Sequence, residues 1–392
     1  MNKNILKTGV QQFINKNWNT DTMAVLFKKS IFDGVANKEI VQQLESKKKC
    51  KNKLPTWFNT KGIYYPKKIH IEQTSSEITA KYKASLVDGA SLLDFTGGLG
   101  VDSYFFSKKI DSITHLEIND ELSSIAAYNF NVLKQGNITT ICENGISYLQ
   151  ASKKEFDVIY LDPSRRNKAE QKVFLLSDCM PNVPRYLELL FKSSETILVK
   201  TSPLLDFSNG IQELKYVKQI HVVAIENEVK ELLWLLEKGF TDDILIKTIN
   251  IKKNENEAFD FKFLEENKAT TRFDTPLKYL YEPNAAILKS GAFRLLGEKL
   301  NLSKLHEHTH LYTSVVALHF PGRCFNIVQT VPYNKKAIKT LGLKKANITT
   351  RNFPESVLEI RKKSKIKDGG FDYLFFCTNK ENNLIVIHCR KN

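Results

Sequence analysis

The segment Leu93-Asp94-Phe95-Thr96-Gly97-Gly98-Leu99-Gly100-Val101-Asp102 comes nearest to chemistry in this 392-residue chain. An apolar strand ends in an acid, and a glycine-rich turn opens a helix. Glycines let the backbone approach a ligand closely, and the start of a helix favours negative charge. Glu117 ends a second strand seventeen residues beyond Gly100, where a carboxylate can accept both hydroxyls of a ribose. Two cofactor classes use this layout. A dinucleotide calls for G-x-G-x-x-G, whereas Gly98-Leu99-Gly100-Val101-Asp102-Ser103 has Ser at the third glycine position. An Asp ahead of the loop suits S-adenosylmethionine better, because its amino group needs an acceptor there and no pyrophosphate needs cradling. Asp94, Thr96, Gly97, Gly98, Gly100, Asp102 and Glu117 are the expected cofactor residues of this segment. A tight turn in a strand–helix corner is the plainer alternative, and the accompanying acid argues against it.

Further along, Cys142-Glu143-Asn144-Gly145 ends a third strand. Asn144, with Gly145, stands where an Asp often receives an adenine amino group, and an amide oxygen can accept that bond. A helix N-cap is an equal reading of Asn144 and does not exclude the first. The fourth strand ends in Asp162-Pro163-Ser164-Arg165-Arg166, at the edge where open α/β sheets bind ligands. This turn resembles the Asp-Pro-Pro-Tyr loops of methyltransferases that act on nucleic-acid bases. A carboxylate on a rigid loop can orient an amine or accept its proton. Arg165 occupies the place of the stacking aromatic, and arginine can stack on a base or bind phosphate. The plainer reading is a surface turn with two solvated arginines. Lys200, at the end of the fifth strand, is either catalytic or paired with a nearby acid. No Cys lies beside Asp162 or Lys200, so C5 methylation of a pyrimidine through a thiolate is disfavoured. His306-Glu307-His308-Thr309-His310 reads as a solvated turn, and no metal is expected.

Short apolar runs alternating with helical stretches must position these residues. Strands are predicted at 91–95, 113–117, 156–162 and 196–200, with helices over 120–134 and 183–192 between them. That alternation is a parallel α/β sheet with helices on both faces. Runs at 219–225 and 244–251 can complete it, and the polar stretch 252–257 is a hairpin loop or a boundary. Residues 11–49 have helical spacing broken at Asn17-Trp18-Asn19 and Asp33-Gly34, and the lysine-rich run 47–53 is expected to end that unit as a solvated linker. Near the other end, a helical segment is expected from Tyr281 to about Leu300 and a strand from Thr313 to Phe320. Strands at 325–331, 373–377 and 384–389 follow, with basic helices at 335–341 and 356–363.

A net charge of +15 with 42% apolar residues excludes a mini-protein, a simple acidic enzyme and general disorder. The charge is uneven. Residues 1–80 carry 14 basic and 6 acidic groups, residues 81–322 carry 29 and 32, and residues 323–392 carry 15 and 5. Both ends are therefore basic around a near-neutral middle, the footprint of a nucleic-acid partner or, more plainly, of a lysine-rich surface. Six scattered cysteines with no C-x-x-C form neither a disulfide framework nor a zinc knuckle. With no long apolar run, a soluble cytoplasmic protein is expected.

These motifs together resemble the bacterial THUMP-like-domain class I S-adenosylmethionine-dependent methyltransferases over most of the chain. The resemblance rests on Glu72 to Ala80 with Tyr82-Lys83, on Asp94 to Asp102, and on Leu161 to Arg166. Glu228, Lys230-Glu231-Leu232, Arg351-Asn352-Phe353-Pro354 and the stretch Arg361 to Gly370 continue it. It implies an α/β chain with a helical N-terminal unit (1–70) and a Rossmann-like class I methyltransferase domain (71–275). Two small α+β domains would follow, one ferredoxin-like (276–321) and one THUMP-like and basic (322–392). It also implies that Gln73, Ser76, Glu77 and Thr79 cover the cofactor pocket as a lid. The expected activity is S-adenosylmethionine-dependent methylation of a base nitrogen in structured RNA, tRNA or rRNA, by direct in-line transfer. Asp162 and Pro163 would orient the acceptor, Arg165 and Arg166 would position base or phosphate, and no membrane or metal partner is expected. A protein or small-molecule acceptor, or an RNA-binding protein with a vestigial pocket, are the alternatives.

Overall fold

The computed structural model describes residues 1–164 and 175–391, and the chain divides into two compact units. The first is Met1–Val217 with Leu233–Thr241, and the second is Lys218–Leu232 with Asp242–Asn392.

The first unit opens with the helices Thr8–Lys16, Thr22–Leu26, Asn37–Lys53 and Pro55–Asn59. Asn17 stops the first of them, its amide donating to the Phe13 carbonyl at 2.8 Å. The lysine run 47–53 is not a linker, because it forms the last turns of the Asn37–Lys53 helix. At 3.6 residues per turn, Ile40, Gln43, Leu44, Lys47 and Cys50 share one face, and all five are buried. Lys47 Nζ donates to the Phe58 carbonyl at 2.6 Å and to the Tyr65 hydroxyl at 3.1 Å. Burial lowers the pKa of that amine, while Lys48 and Lys49 face water.

After the helices Lys68–Gln73 and Glu77–Ala84 come five strands: β1 (Ser91–Asp94), β2 (Ser112–Leu116), β3 (Ile138–Ile141), β4 (Val158–Leu161) and β5 (Thr196–Thr201). They lie in the order β3-β2-β1-β4-β5, and all four of their pairings are parallel. Leu92, Leu93, Val158 to Leu161 and Ile197 to Val199 are at most 1% exposed, as strands covered on both faces require. The order reverses between β1 and β4, so their carboxyl ends flank the crevice where such sheets bind ligands.

In the second unit, β6 (Val217–Ile225) leads into β7 (Glu228–Glu237), a strand outside the expected runs 219–225 and 244–251, which carries the chain back to the first unit. Strand β8 (Leu245–Ile251) pairs in parallel with β6, and β9 (Glu257–Lys262) pairs with β8 antiparallel, so the stretch 252–257 includes a hairpin loop. The remaining strands are β10 (Tyr279–Pro283), β11 (Ser303–Lys304), β12 (Tyr312–Ser314), β13 (Gly322–Pro332), β14 (Asn347–Arg351), β15 (Asp372–Thr378) and β16 (Leu384–Lys391). They form one sheet in the order β11-β12-β10-β13-β16-β15-β14, so the expected ferredoxin-like and THUMP-like segments share it. The helical segment expected after Tyr281 is split into Ala285–Ser290 and Phe293–Lys299 by Gly291 at φ 79°. The strand expected over 313–320 stops at Ser314. The Tyr281 hydroxyl donates to the Val316 carbonyl at 2.8 Å and accepts from the Leu318 amide at 3.1 Å, which turns the chain away from the ladder. Buried Glu282 explains the expected Arg351 motif: it accepts from Arg323 and Arg351, each at 2.6 Å, and so ties β10, β13 and β14 together.

The helix face predicts a contrast between neighbouring lysines. Lys47→Ala leaves the Phe58 carbonyl without its donor and should cost about 2 kcal/mol of stability. Lys48→Ala should change it by less than about 0.5 kcal/mol. Urea denaturation of the two variants measures both, and equal small losses would return the run to the solvated-linker reading.

Candidate active site

The glycine loop forms because side chains on either side leave no room for anything but hydrogen. A Cβ on Gly97 would collide with the His115 ring, and one on Gly100, at φ 79°, with the Phe130 ring. Gly145 is closed in the same way by Phe95, 2.6 Å from where its Cβ would stand. Gly98, at φ 57°, is different, for a Cβ there would meet only the Thr96 carbonyl at 3.9 Å. The loop is thus packed from below and open above Gly98. Burial pushes the His115 imidazole down to about 4, so a neutral ring supports the loop.

Two acids frame it. Asp94, at the end of β1, is 1% exposed; its Oδ2 accepts from Ser103 Oγ at 2.5 Å and its Oδ1 from the Thr96 amide at 3.3 Å. Burial, reinforced by the nearby Asp102 and Asp162 carboxylates, raises its pKa to about 7. Glu117, just past β2, is half-buried and accepts from the Gly98 amide at 2.9 Å and the Asn119 amide at 2.7 Å. Each oxygen keeps a further lone pair. Next to it, Ile118 is 69% exposed, an apolar face that sequence reasoning passed over although it directly follows the acid. Asn144 caps the helix Gly145–Ala151, its Oδ1 accepting from the Ile146 amide at 2.9 Å and the Ser147 amide at 3.3 Å.

Asp102 is placed differently from the other loop residues. Its Oδ2 accepts from Ser75 Oγ at 2.8 Å and the Tyr160 hydroxyl at 2.9 Å, and its Oδ1 lies 3.2 Å from Lys83 Nζ. Lys83 is fully buried and also donates to Ser75 Oγ at 2.9 Å. This network joins the segment before β1, the helix Val101–Phe106 and β4. Ser75, Lys83 and Tyr160 have no chemical signature of their own in the sequence; Ser75 and Lys83 stand out only as parts of the motif before β1. The expected lid residues fall on the same segment. Ser76 caps the Glu77–Ala84 helix, accepting from the Thr79 amide at 3.2 Å. Glu77 is buried and accepts from the Thr56 amide at 2.5 Å and hydroxyl at 2.8 Å. Thr79 is buried, and Gln73 is exposed.

Asp162 lies just beyond β4. Its amide donates to Thr96 Oγ1 at 2.7 Å, which fastens the two loops at the switch point together. Its carboxylate is held by Lys200 Nζ from β5, at 3.0 Å to Oδ1 and 2.8 Å to Oδ2. After Pro163, Ser164 exchanges backbone hydrogen bonds of 2.8 and 3.0 Å with Met180, so the turn is anchored on both sides. Arg165 and Arg166 lie outside the described residues. His306 binds Asn382 at 3.0 Å and lies edge-on to exposed His308, ring centroids 5.6 Å apart, whereas His310 stacks on Phe293 with ring centroids 3.6 Å apart.

The edge thus offers acceptors from Asp94, Glu117 and Asn144, an apolar face at Ile118, and open space over Gly98. That set fits S-adenosylmethionine: carboxylates for an ammonium and two hydroxyls, and among the described residues no cationic cradle for a pyrophosphate.

Residues 279–321 match the model of a ferredoxin-like domain, and residues 322–391 that of a THUMP domain-like module. A stretch of 99 residues is 34% identical to a Mycoplasma mobile protein named as an uncharacterized RNA methyltransferase; it covers 25% of this chain and 27% of that relative, about a quarter of each. The fold is similar throughout to the crystal structure of a Porphyromonas gingivalis W83 protein assigned as a methyltransferase. The two are 31% identical, over 99% of this chain and 98% of that one, with a TM-score of 0.91. A likeness that runs through both chains at this identity, with its glycine loop and Asp-Pro turn on one sheet edge, means that the chain belongs to the THUMP-like-domain class I methyltransferases.

Proposed function

We propose that the protein uses S-adenosylmethionine to methylate a base nitrogen in structured RNA, tRNA or rRNA, by direct in-line transfer. The observation that carries the reading is the Asp162 carboxylate, fixed by Lys200 and Thr96 at the sheet edge that also presents Asp94 and Glu117. When bound, the cofactor supplies a methyl group made electrophilic by its sulfonium. Asp94 accepts from its amino group, Glu117 from its ribose hydroxyls and Asn144 from its adenine, with Ile118 against the ring. Thr96, Gly97, Gly98, Gly100 and Gly145 shape the floor, and Asp102 holds that floor in place through Lys83 and Tyr160. The segment from Gln73 through Ser76 and Glu77 to Thr79 is the lid; Thr79 holds its own backbone and Glu77 ties it to Thr56.

Asp162 accepts the N–H of the attacking nitrogen and so aims its lone pair along the line of transfer. Pro163 stiffens that turn, and Lys200 positions both carboxylate oxygens. Little covalent catalysis is needed, because close approach and alignment supply most of the rate. Arg165 and Arg166 would position the base or its phosphate. An RNA acceptor is supported by the THUMP domain-like module, by the name of the Mycoplasma relative, and by the 15 basic against 5 acidic residues of 323–392.

Transfer of labelled methyl from S-adenosylmethionine into total RNA of a strain lacking the gene tests the reading. Label is expected in that RNA and not in wild-type RNA, whose sites are already filled. Label in protein alone would replace RNA by a protein acceptor. Within this assay Asp162→Ala should lower turnover about 10²- to 10⁴-fold while leaving cofactor affinity near wild type; normal turnover would remove Asp162 from the mechanism.

Asp94 gives a pH signature. Only its ionised form accepts an ammonium, and burial has raised its pKa to about 7. Affinity for S-adenosylhomocysteine, which keeps the amino group, should therefore rise as pH increases from about 6 to about 8, by up to about tenfold, and level off above. Asp94→Asn should bind weakly with a flat profile. A flat profile in the unmodified protein, measured by calorimetry, would assign the amino group to another acceptor.

A further inference from the structure

Phe371 is 90% exposed, the most open of the large apolar side chains described. A lone exposed apolar residue is ordinary, but this one stands on a built mount. It follows Gly369 and Gly370, at φ 92° and 93°, conformations that keep side chains off the turn. The Asn347 amide donates to the Gly370 carbonyl at 2.9 Å and to the Asp372 carbonyl at 3.3 Å. One side chain thus clamps the backbone immediately before and immediately after the ring. The ring is presented, not left over at a fraying end.

Its surroundings are cationic. The loop before β14 and the loop before β15 pair through a bridge between Lys345 and Lys367, with Lys367 amide donating to the Lys344 carbonyl and Ala346 amide to the Lys367 carbonyl, each at 3.0 Å. Gly370 packs against Lys345, whose Cβ lies 3.6 Å from where a Gly370 Cβ would stand. Lys365 ends the Val357–Ser364 helix in the left-handed conformation. Lys344, Lys345, Lys365 and Lys367 are all exposed, and none pairs with a carboxylate among the described residues. The neighbouring acids are engaged elsewhere: Asp368 with Arg361, and Asp372 with His388 at 2.7 Å and Arg390 at 3.1 Å.

A rigidly mounted aromatic ring among unpaired lysines is the arrangement that holds an unpaired nucleotide, with its base on the ring and flanking phosphates on the ammonium groups. A duplex hides its base faces and can use only the lysines. We infer that Phe371 is a stacking platform for a single-stranded segment of RNA, with Lys344, Lys345, Lys365 and Lys367 as its phosphate contacts. This deepens the RNA reading of the proposed function and rests on it. It adds a contact outside the methyl-transfer site that selects a loop or an end over a helix.

The test uses the full chain and fluorescence anisotropy with two probes, a labelled oligouridylate of about twelve nucleotides and a blunt RNA duplex of the same length. Phe371→Ala should weaken oligouridylate binding about five- to hundredfold without changing its salt dependence or the duplex affinity. Phe371→Trp should restore binding, because stacking needs only an aromatic face. The pair Lys345→Ala and Lys367→Ala should weaken both probes and lower the salt slope by about one per lysine. Thermal melts should match the unmodified protein, since the ring buries almost nothing. Unchanged oligouridylate affinity in Phe371→Ala would overturn the inference, and so would an equal loss on both probes. If that happens while total RNA still accepts methyl, the proposed function stands and only the platform falls. If the unmodified protein binds neither probe and RNA accepts no methyl, both fall together.

Discussion

A lysine ammonium with no access to water is the constraint on which the sheet edge depends. Asp102 and Ser75 both hold Lys83 in the interior, and Asp102 in turn accepts from Tyr160. Removing one member of such a group leaves an uncompensated buried charge and costs about 3–5 kcal/mol. A fully apolar replacement of the set could be as stable. What it would lose is registry: the network fixes the segment before β1, the helix after the glycine loop and β4 relative to one another with directional bonds. Hydrophobic contact, being non-directional, would leave them free to shift by fractions of an ångström. A transfer that relies on alignment more than on covalent chemistry is sensitive to shifts of that size.

The same edge shows why part of the site was legible in the sequence and part was not. Asp94, Glu117 and Asp162 could be read because each ends an apolar run, and for Asp94 and Asp162 a strand end followed by glycines or proline has few structures open to it. The α/β alternation over 91–200 was legible for the same reason, with boundaries within a few residues. The Lys83–Asp102 pair was not legible as a pair, because the residues lie nineteen positions apart and neither type is expected in a core. Asn144 shows a middle case. Both readings of it were available, and its helix-capping bonds are now visible without excluding a ligand on the same oxygen.

Where the reading failed, composition outweighed periodicity. The run 47–53 looked like solvated linker because it is mostly lysine, yet only every third or fourth position faces the core, and those positions are Lys47 and Cys50. A lysine stem is apolar enough to pack when a carbonyl and a hydroxyl receive its amine. At 313–320 the error ran the other way. The run Val315-Val316 has every local preference of a strand, but the Tyr281 hydroxyl captures the Val316 carbonyl and the Leu318 amide. Strand β14 was missed because its residues are only half-buried and polar, with no continuous apolar run to mark them.

Charge gives the last step. Three carboxylates at one sheet edge suit an ammonium, ribose hydroxyls and a base N–H, and they repel phosphate. The burden on Asp94 is visible in its raised pKa, to which Asp102 and Asp162 both contribute after burial. On the proposed reading, the three carboxylates take a nucleobase by its donors and leave its phosphate to cationic groups. The proposal of an RNA acceptor assigns most of the phosphate affinity to the basic ends, which hold 14 basic residues in 1–80 and 15 in 323–392, against a slightly acidic middle. The separation has a kinetic consequence. Phosphate contacts weaken steeply with salt while short-range donor–acceptor contacts do not, so added salt should raise the RNA concentration needed for half-maximal transfer and leave the rate at saturating RNA nearly unchanged.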